Sequence, residues 1–206
     1  MTNLCHFHRQ REERIIMNSF VIANPKKCIG CKTCEAGCAM AHSEKNILNR
    51  KSDELKFNPR LKVIKTWDVT APVMCRHCEN SPCASVCPNG SITNKEGVVL
   101  INQDTCIGCK SCMVACPFGA INLIVQQDGE GKAITQSGLK KTDGKEIIHK
   151  EKIVANKCDL CIERDKGPAC VEVCPTEALR LVSGEDIEES IKEKREAAAL
   201  GLSRIG

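Results

Sequence analysis

The placement of cysteine constrains this chain more than any other feature. Of 206 residues, 17 are cysteine, and sixteen of them fall into four groups of four. Group one is Cys28, Cys31, Cys34 and Cys38, spaced C-x2-C-x2-C-x3-C. Group two is Cys75, Cys78, Cys83 and Cys87, spaced C-x2-C-x4-C-x3-C. Group three, Cys106, Cys109, Cys112 and Cys116, repeats the spacing of group one. Group four is Cys158, Cys161, Cys170 and Cys174, spaced C-x2-C-x8-C-x3-C. Groups two, three and four are each followed by proline (Pro88, Pro117, Pro175), and group one by Ala39. Cys5 stands alone.

Three thiolates two residues apart on a loop can wrap three corners of a cubic iron–sulfur cluster. The fourth cysteine, three residues further on, points away and serves the other cluster of a pair. The following proline lacks an N–H, so no hydrogen-bond ladder runs through it. Zinc is the first alternative, since paired C-x2-C knuckles make all-cysteine sites. Zinc has no need of a fourth cysteine and a proline at a fixed offset. Disulfides require an oxidising compartment. Met1–Ile16 is polar and charged, without the apolar stretch of a signal peptide. Arg9 and Arg11 are split by Gln10, so no twin-arginine pair is present. No apolar run nears the roughly 18 residues of a membrane span. The expectation is a cytoplasmic chain whose sixteen reduced cysteines hold four [4Fe–4S] clusters.

Composition agrees. The chain has four Phe, one Trp and no Tyr. A conventional core leans on aromatics, so the cysteine sites must organise this interior. The formal charge of +4 falls to about −4 once each loaded site carries about −2. That removes the argument for nucleic-acid binding. Lys32, Arg76, Lys110 and Lys157 adjoin the cysteines and are candidates to offset cluster charge or to meet a partner; solvated surface charge is the plainer alternative. His42, His77 and His149 read as ordinary polar residues, although His77, inside group two, could hydrogen-bond a cluster sulfur. No phosphate loop, dinucleotide fingerprint or nucleophile motif occurs. Complete cysteine ligation leaves no open iron position, so no catalytic residue is expected.

The groups repeat one another. Cys28-Ile29-Gly30-Cys31-Lys32-Thr33-Cys34 nearly duplicates Cys106-Ile107-Gly108-Cys109-Lys110-Ser111-Cys112, a mark of duplication. Only Pro88–Thr105 separates groups two and three, whereas residues 39–74 and 117–157 set groups one and four further off. This predicts nesting. The inner two-cluster module is residues 75–116, the outer one combines 17–74 with 117–183, and 184–206 forms a C-terminal helical arm. Residues 1–16 read as an upstream extension with Met17 as an alternative start, which leaves Cys5, His6 and His8 without a role. Strands are expected at Phe20–Ala23, Leu61–Ile64, Val98–Ile101, Ile121–Val125 and Leu179–Val182, with short helices running into the fourth cysteines. The fold class is therefore α+β. Ser43–Arg60 is a charged insert with a helical turn, and Gln126–Lys152 a surface loop or hairpin that is also a candidate contact surface. In the arm, Glu188 and Lys192 are spaced i,i+4, acids precede bases along the helix dipole, and Ile187 and Ile191 share a face.

With these groups, and with Phe20-Val21-Ile22-Ala23, Cys75-Arg76-His77-Cys78-Glu79 and Lys157-Cys158-Asp159-Leu160-Cys161, residues 17–183 resemble a known family. It comprises the four-cluster, ferredoxin-type iron–sulfur subunits of molybdopterin oxidoreductases and hydrogenase complexes. Within it the chain is most similar to the soluble iron–sulfur subunits of formate hydrogenlyase and hydrogen-dependent carbon dioxide reductase. The resemblance implies four ligand sets: Cys28, Cys31, Cys34 with Cys174; Cys38 with Cys158, Cys161, Cys170; Cys75, Cys78, Cys83 with Cys116; and Cys87 with Cys106, Cys109, Cys112. It implies a non-catalytic electron wire between a formate dehydrogenase catalytic subunit and an iron–iron or nickel–iron hydrogenase subunit, alongside related iron–sulfur subunits or further copies of itself. It implies neither nucleic acid nor a membrane span. Three alternatives are kept: a beta subunit of another molybdopterin oxidoreductase, a filament-forming subunit built through the C-terminal helix, and a zinc-binding interaction module.

Overall fold

The computed structural model describes residues 17–43, 57–129, 131–143 and 146–202. Cys5 and most of the Ser43–Arg60 insert, with its expected helical turn, lie outside the described residues. The fold is α+β, with short helices and strands paired two by two. Strand β1 (Phe20–Ala23) leads into the group one loop, from which α1 (Thr33–Ala41) starts at the third cysteine and carries the fourth. Strands β2 (Leu61–Lys65) and β3 (Thr70–Met74) form a hairpin that delivers the chain to Cys75. At its tip Thr66 Oγ1 accepts from the Val69 N–H at 3.1 Å, and Trp67 stands fully in solvent.

Helix α2 (Pro82–Ser85) has proline in its first turn, where the missing N–H costs nothing. The hairpin of β4 (Ile92–Lys95) and β5 (Val98–Ile101) follows, and then α3 (Ser111–Ala115). Strand β6 (Asn122–Val125) pairs antiparallel with β9 (Ile153–Asn156). Between them, β7 (Thr135–Asp143) and β8 (Glu146–Glu151) make the hairpin foreshadowed by the polar insert. Helix α4 (Ala169–Glu172) precedes β10 (Leu179–Val182), which pairs antiparallel with β1, so the two ends of the cysteine-bearing region meet. Helix α1 packs on α4, and α2 on α3. The first crossing depends on Gly37: a Cβ there would meet Val173 Cγ2 at 2.6 Å.

Helix α5 (Gly184–Leu202) closes the described chain. Ser183 caps it: its Oγ accepts from the Asp186 N–H at 3.2 Å while the Asp186 carboxylate takes the Ser183 N–H at 2.6 Å. From Ile191 to Gly201 every residue is exposed. Among the described residues no helix is long and apolar enough to cross a membrane.

The interior holds two clusters of buried side chains. One gathers Val21, Leu61, Val63, Met74, Leu160 and Leu179 around Cys34, Cys38, Cys75, Cys158 and Cys170. The other gathers Ile92, Val99, Ile121 and Ala155 around Cys83 and Cys112. Phe57 and Phe118 are exposed, as is Trp67. Small aliphatic residues and cysteines thus fill the space that aromatics usually occupy.

Candidate metal centres

Two cavities are each lined by four cysteines drawn from two groups. Cys75, Cys78 and Cys83 face one cavity together with Cys116, closed by Val99, Ile121 and Phe118. Cys106, Cys109 and Cys112 line the other together with Cys87, closed by Ile92, Ile101 and Ala155. The packing of α2 on α3 accompanies this exchange: each helix begins next to a third cysteine and leads toward a fourth, Cys87 or Cys116, that lines the other cavity. Helix α1 packs on α4, and Cys38, Cys158, Cys161 and Cys170 are all buried. Burial raises the Cys170 thiol, and the neighbouring Cys158, Cys38 and Cys161 raise it further. Cys174 is near enough to act on Cys31, whose loop is exposed. Cys28 is half-buried on the same loop.

The loops are shaped to point N–H groups at sulfur. Gly30 and Lys32, His77, Gly108 and Lys110, and Leu160 and Cys161 all have positive φ, and such runs turn successive amides toward one point. The N–H groups of His77, Leu160 and Ala120 donate to Cys75, Cys158 and Cys116, each at 3.4 Å. Those of Arg60 and Ala178 donate to Cys38 at 3.2 Å and Cys174 at 3.3 Å. The Ala155 N–H donates to Cys106 at 3.4 Å. Gly108 admits the closest approach: its φ is +65°, and a Cβ would collide with the Ile153 carbonyl oxygen.

Electrostatics separate rim from interior. Hydrogen bonds from Thr33 lower the pKa of exposed Cys31, with Thr33 Oγ1 at 3.3 Å from its sulfur. Hydrogen bonding with Ser111, whose Oγ lies 3.5 Å from the Cys109 sulfur, lowers Cys109 likewise. Burial pushes Cys34 up to about 11 and Cys158 up to about 12. Several thiols crowded out of water hold their protons until a cation takes their place. Tetrads of cysteine with amides aimed at their sulfurs and apolar walls fit a thiolate-ligated iron–sulfur cluster.

Around the buried tetrad His42, Asp159 and Arg60 form a chain of charge. His42 Nε2 lies 2.9 Å from Asp159 Oδ1, Arg60 pairs with the other carboxylate oxygen, and His42 Nδ1 lies 2.8 Å from the Cys38 carbonyl. Burial pulls His42 down, but Asp159, Cys161 and Cys38 outweigh it and carry it up to about 12. Asp159 is held well below the usual carboxylate range: burial opposes this, and His42 and Arg60 prevail. In the sequence His42 reads as an ordinary polar residue, and only its i,i+4 spacing from Cys38 signals this contact.

The four basic residues flagged beside the cysteines fare differently. Lys32 and Lys110 are exposed N-caps in left-handed conformation. Arg76 lies over the Phe20 ring, 5.7 Å from its centroid, and donates to the Val21 carbonyl. Lys157 is buried. Burial raises the Cys83 thiol, and the charge of Lys157 opposes it. His77 is among the most buried side chains, and its Nδ1 accepts the Val99 N–H at 3.0 Å. That bond places the proton on Nε2, which has no partner among the described residues. Burial, then Lys157, hold its pKa down to about 3, so the ring is neutral. Buried Glu35 takes the Val63 N–H on Oε1 at 2.6 Å, tying α1 to β2.

Residues 65–137 and residues 105–178 each match a 4Fe-4S dicluster domain, and residues 25–41 match a 4Fe-4S binding domain. The chain is 44% identical to the electron transport protein HydN of Escherichia coli (strain K12), over 89% of this chain and 99% of that protein. The chain belongs to the 4Fe-4S dicluster ferredoxin family. It is also 40% identical to hydrogenase-4 component A of the same strain, over 92% of this chain and 95% of that one. Its identity to formate hydrogenlyase subunit 2 is 40%, over 87% and 89%. This ferredoxin-family chain is an electron-transport iron–sulfur protein, and the expectation of [4Fe–4S] chemistry stands.

Proposed function

We propose that this chain is the non-catalytic, electron-carrying subunit joining a formate dehydrogenase to a hydrogenase, with four [4Fe–4S] clusters on sixteen cysteines. The observation that carries the reading is the crossed pair of cavities, each lined by three cysteines of one group and the fourth of another. By the same logic the outer sets are Cys28, Cys31, Cys34 with Cys174, and Cys38 with Cys158, Cys161, Cys170. The contact of α1 with α4 and the pairing of β1 with β10 support this outer module, nested around the inner one. When bound, each cluster supplies a one-electron couple at low potential.

The chain's own residues do the rest. The cysteines hold iron, the loop amides neutralise part of the thiolate charge, and the aliphatic walls keep water from the interior. Among the described residues, the loops at Cys31 and Cys109 carry the two exposed cysteines, and we assign them the ends at which partners exchange electrons. The printed names of two relatives, a hydrogenase component and a formate hydrogenlyase subunit, support the choice of partners.

Anaerobic purification from the native cell tests this. About sixteen irons per chain, with formate oxidation and hydrogen uptake travelling with the chain, is the expected result. Four clusters without either activity overturns the choice of partners. Zinc in place of iron overturns the whole reading.

A further inference from the structure

Lys157 lies between two of the cysteine sets and is 3% exposed. Its Nζ donates to the carbonyl of Val99 and, at 2.9 Å, to that of Cys158. Val99 is 1% exposed and lines the cavity of Cys75, Cys78, Cys83 and Cys116. Cys158 belongs to the set with Cys38, Cys161 and Cys170. The ammonium therefore bridges, through one carbonyl on each side, the walls of both sets.

No carboxylate pairs with Lys157 among the described residues. The nearest acid in sequence, Asp159, is engaged with His42 and Arg60. His77 takes the Val99 N–H on Nδ1. A buried charge with two neutral acceptors and no counter-ion is costly, and burial without need selects against lysine. Each set of four thiolates around a cluster carries net charge of about −2, and −3 after one-electron reduction. That supplies the missing opposite charge on both sides.

Resting on the ligand sets proposed above, we infer that Lys157 is the shared counter-charge of these two centres. It favours the reduced form of each, and it sets their potentials together. It touches neither reacting atom and acts as a positioning residue.

The test uses the anaerobically purified, cluster-loaded protein and a potentiometric titration followed by electron paramagnetic resonance. In Lys157→Met, two of the four centres should lose about tenfold in reduced-to-oxidised ratio at fixed potential, a negative shift of about 59 mV. The other two should not move. Lys157→Arg should restore both. Four clusters with no centre displaced, or all four displaced alike, overturns the inference while leaving the ligand sets intact. If Lys157→Met fails to load four clusters, Lys157→Arg decides. Loading with native potentials supports a required charge, whereas loading with displaced potentials, or failure of Arg to load, marks a requirement for lysine's shape and overturns it. A native protein without iron sinks both readings.

Discussion

The side chains around the sulfurs divide the work by depth. At the rim, the Thr33 hydroxyl donates to Cys31, and Cys109 Sγ donates to the Ser111 hydroxyl oxygen. Thr33→Val should keep four clusters and shift one potential negative by roughly 40 mV, the worth of about 1 kcal/mol in one hydrogen bond; voltammetry on the purified protein checks it. Crossed ligation makes a sharper claim. Cys116→Ala and Cys109→Ala each should cost about four irons per chain, but from different centres, so the two variants should lose different resonance signals. Identical losses would place both cysteines on one cluster. All sixteen ligand candidates were legible as sequence because spacing fixes them. Which cysteine serves which cavity was not legible from spacing alone; it came from the resemblance. The burial of Lys157 and the orphaned Nε2 of His77 were invisible, since a lysine beside a cysteine reads the same whether it faces water or the interior. Glu35 was missed for the same reason.

At the level of elements, the apolar runs at β1, β2, β5, β6 and β10 announced their strands. Strand β3 was hidden by Pro72, which a two-stranded ribbon tolerates because each strand is an edge. Strand β4 has a single buried residue, Ile92, among polar ones, too weak a pattern to read. Strand β9 lay at the boundary of a segment read as polar insert, and its partner β6 identifies it only in three dimensions. The short helices were legible from the cysteine groups: each begins one residue before a third cysteine and runs toward the fourth. The glycines in these elements carry specific predictions. Gly37→Val should wedge α1 from α4 at a cost of about 1–3 kcal/mol, lowering the melting temperature of the loaded protein. Gly108→Ala combines a left-handed backbone with a backbone collision. It should reduce iron incorporation at one centre, seen as substoichiometric iron; full loading would show that the loop relaxes freely.

For the molecule as a whole, eight of the twenty-three buried apolar side chains among the described residues are cysteines. Without metal these sites are clusters of small thiols with little to pack against, so folding and metal binding should be one process. Iron chelation is expected to abolish the cooperative thermal transition by circular dichroism; a sharp apo transition would show a self-sufficient core. The helical arm stands apart. Its helical character was legible from the charge pattern; Ile187 is half-buried while everything from Ile191 to Gly201 is exposed. Truncation at residue 190 should therefore leave iron content unchanged, and a loss of clusters would reveal a structural role.

Trp67 has an optical consequence. The only tryptophan in a chain without tyrosine sits in water at a hairpin tip. Its ultraviolet emission already has the colour of a free indole, so unfolding leaves that colour unchanged. The same isolation makes it a quiet background lamp: a blue shift on mixing with another protein reports that something has covered that hairpin.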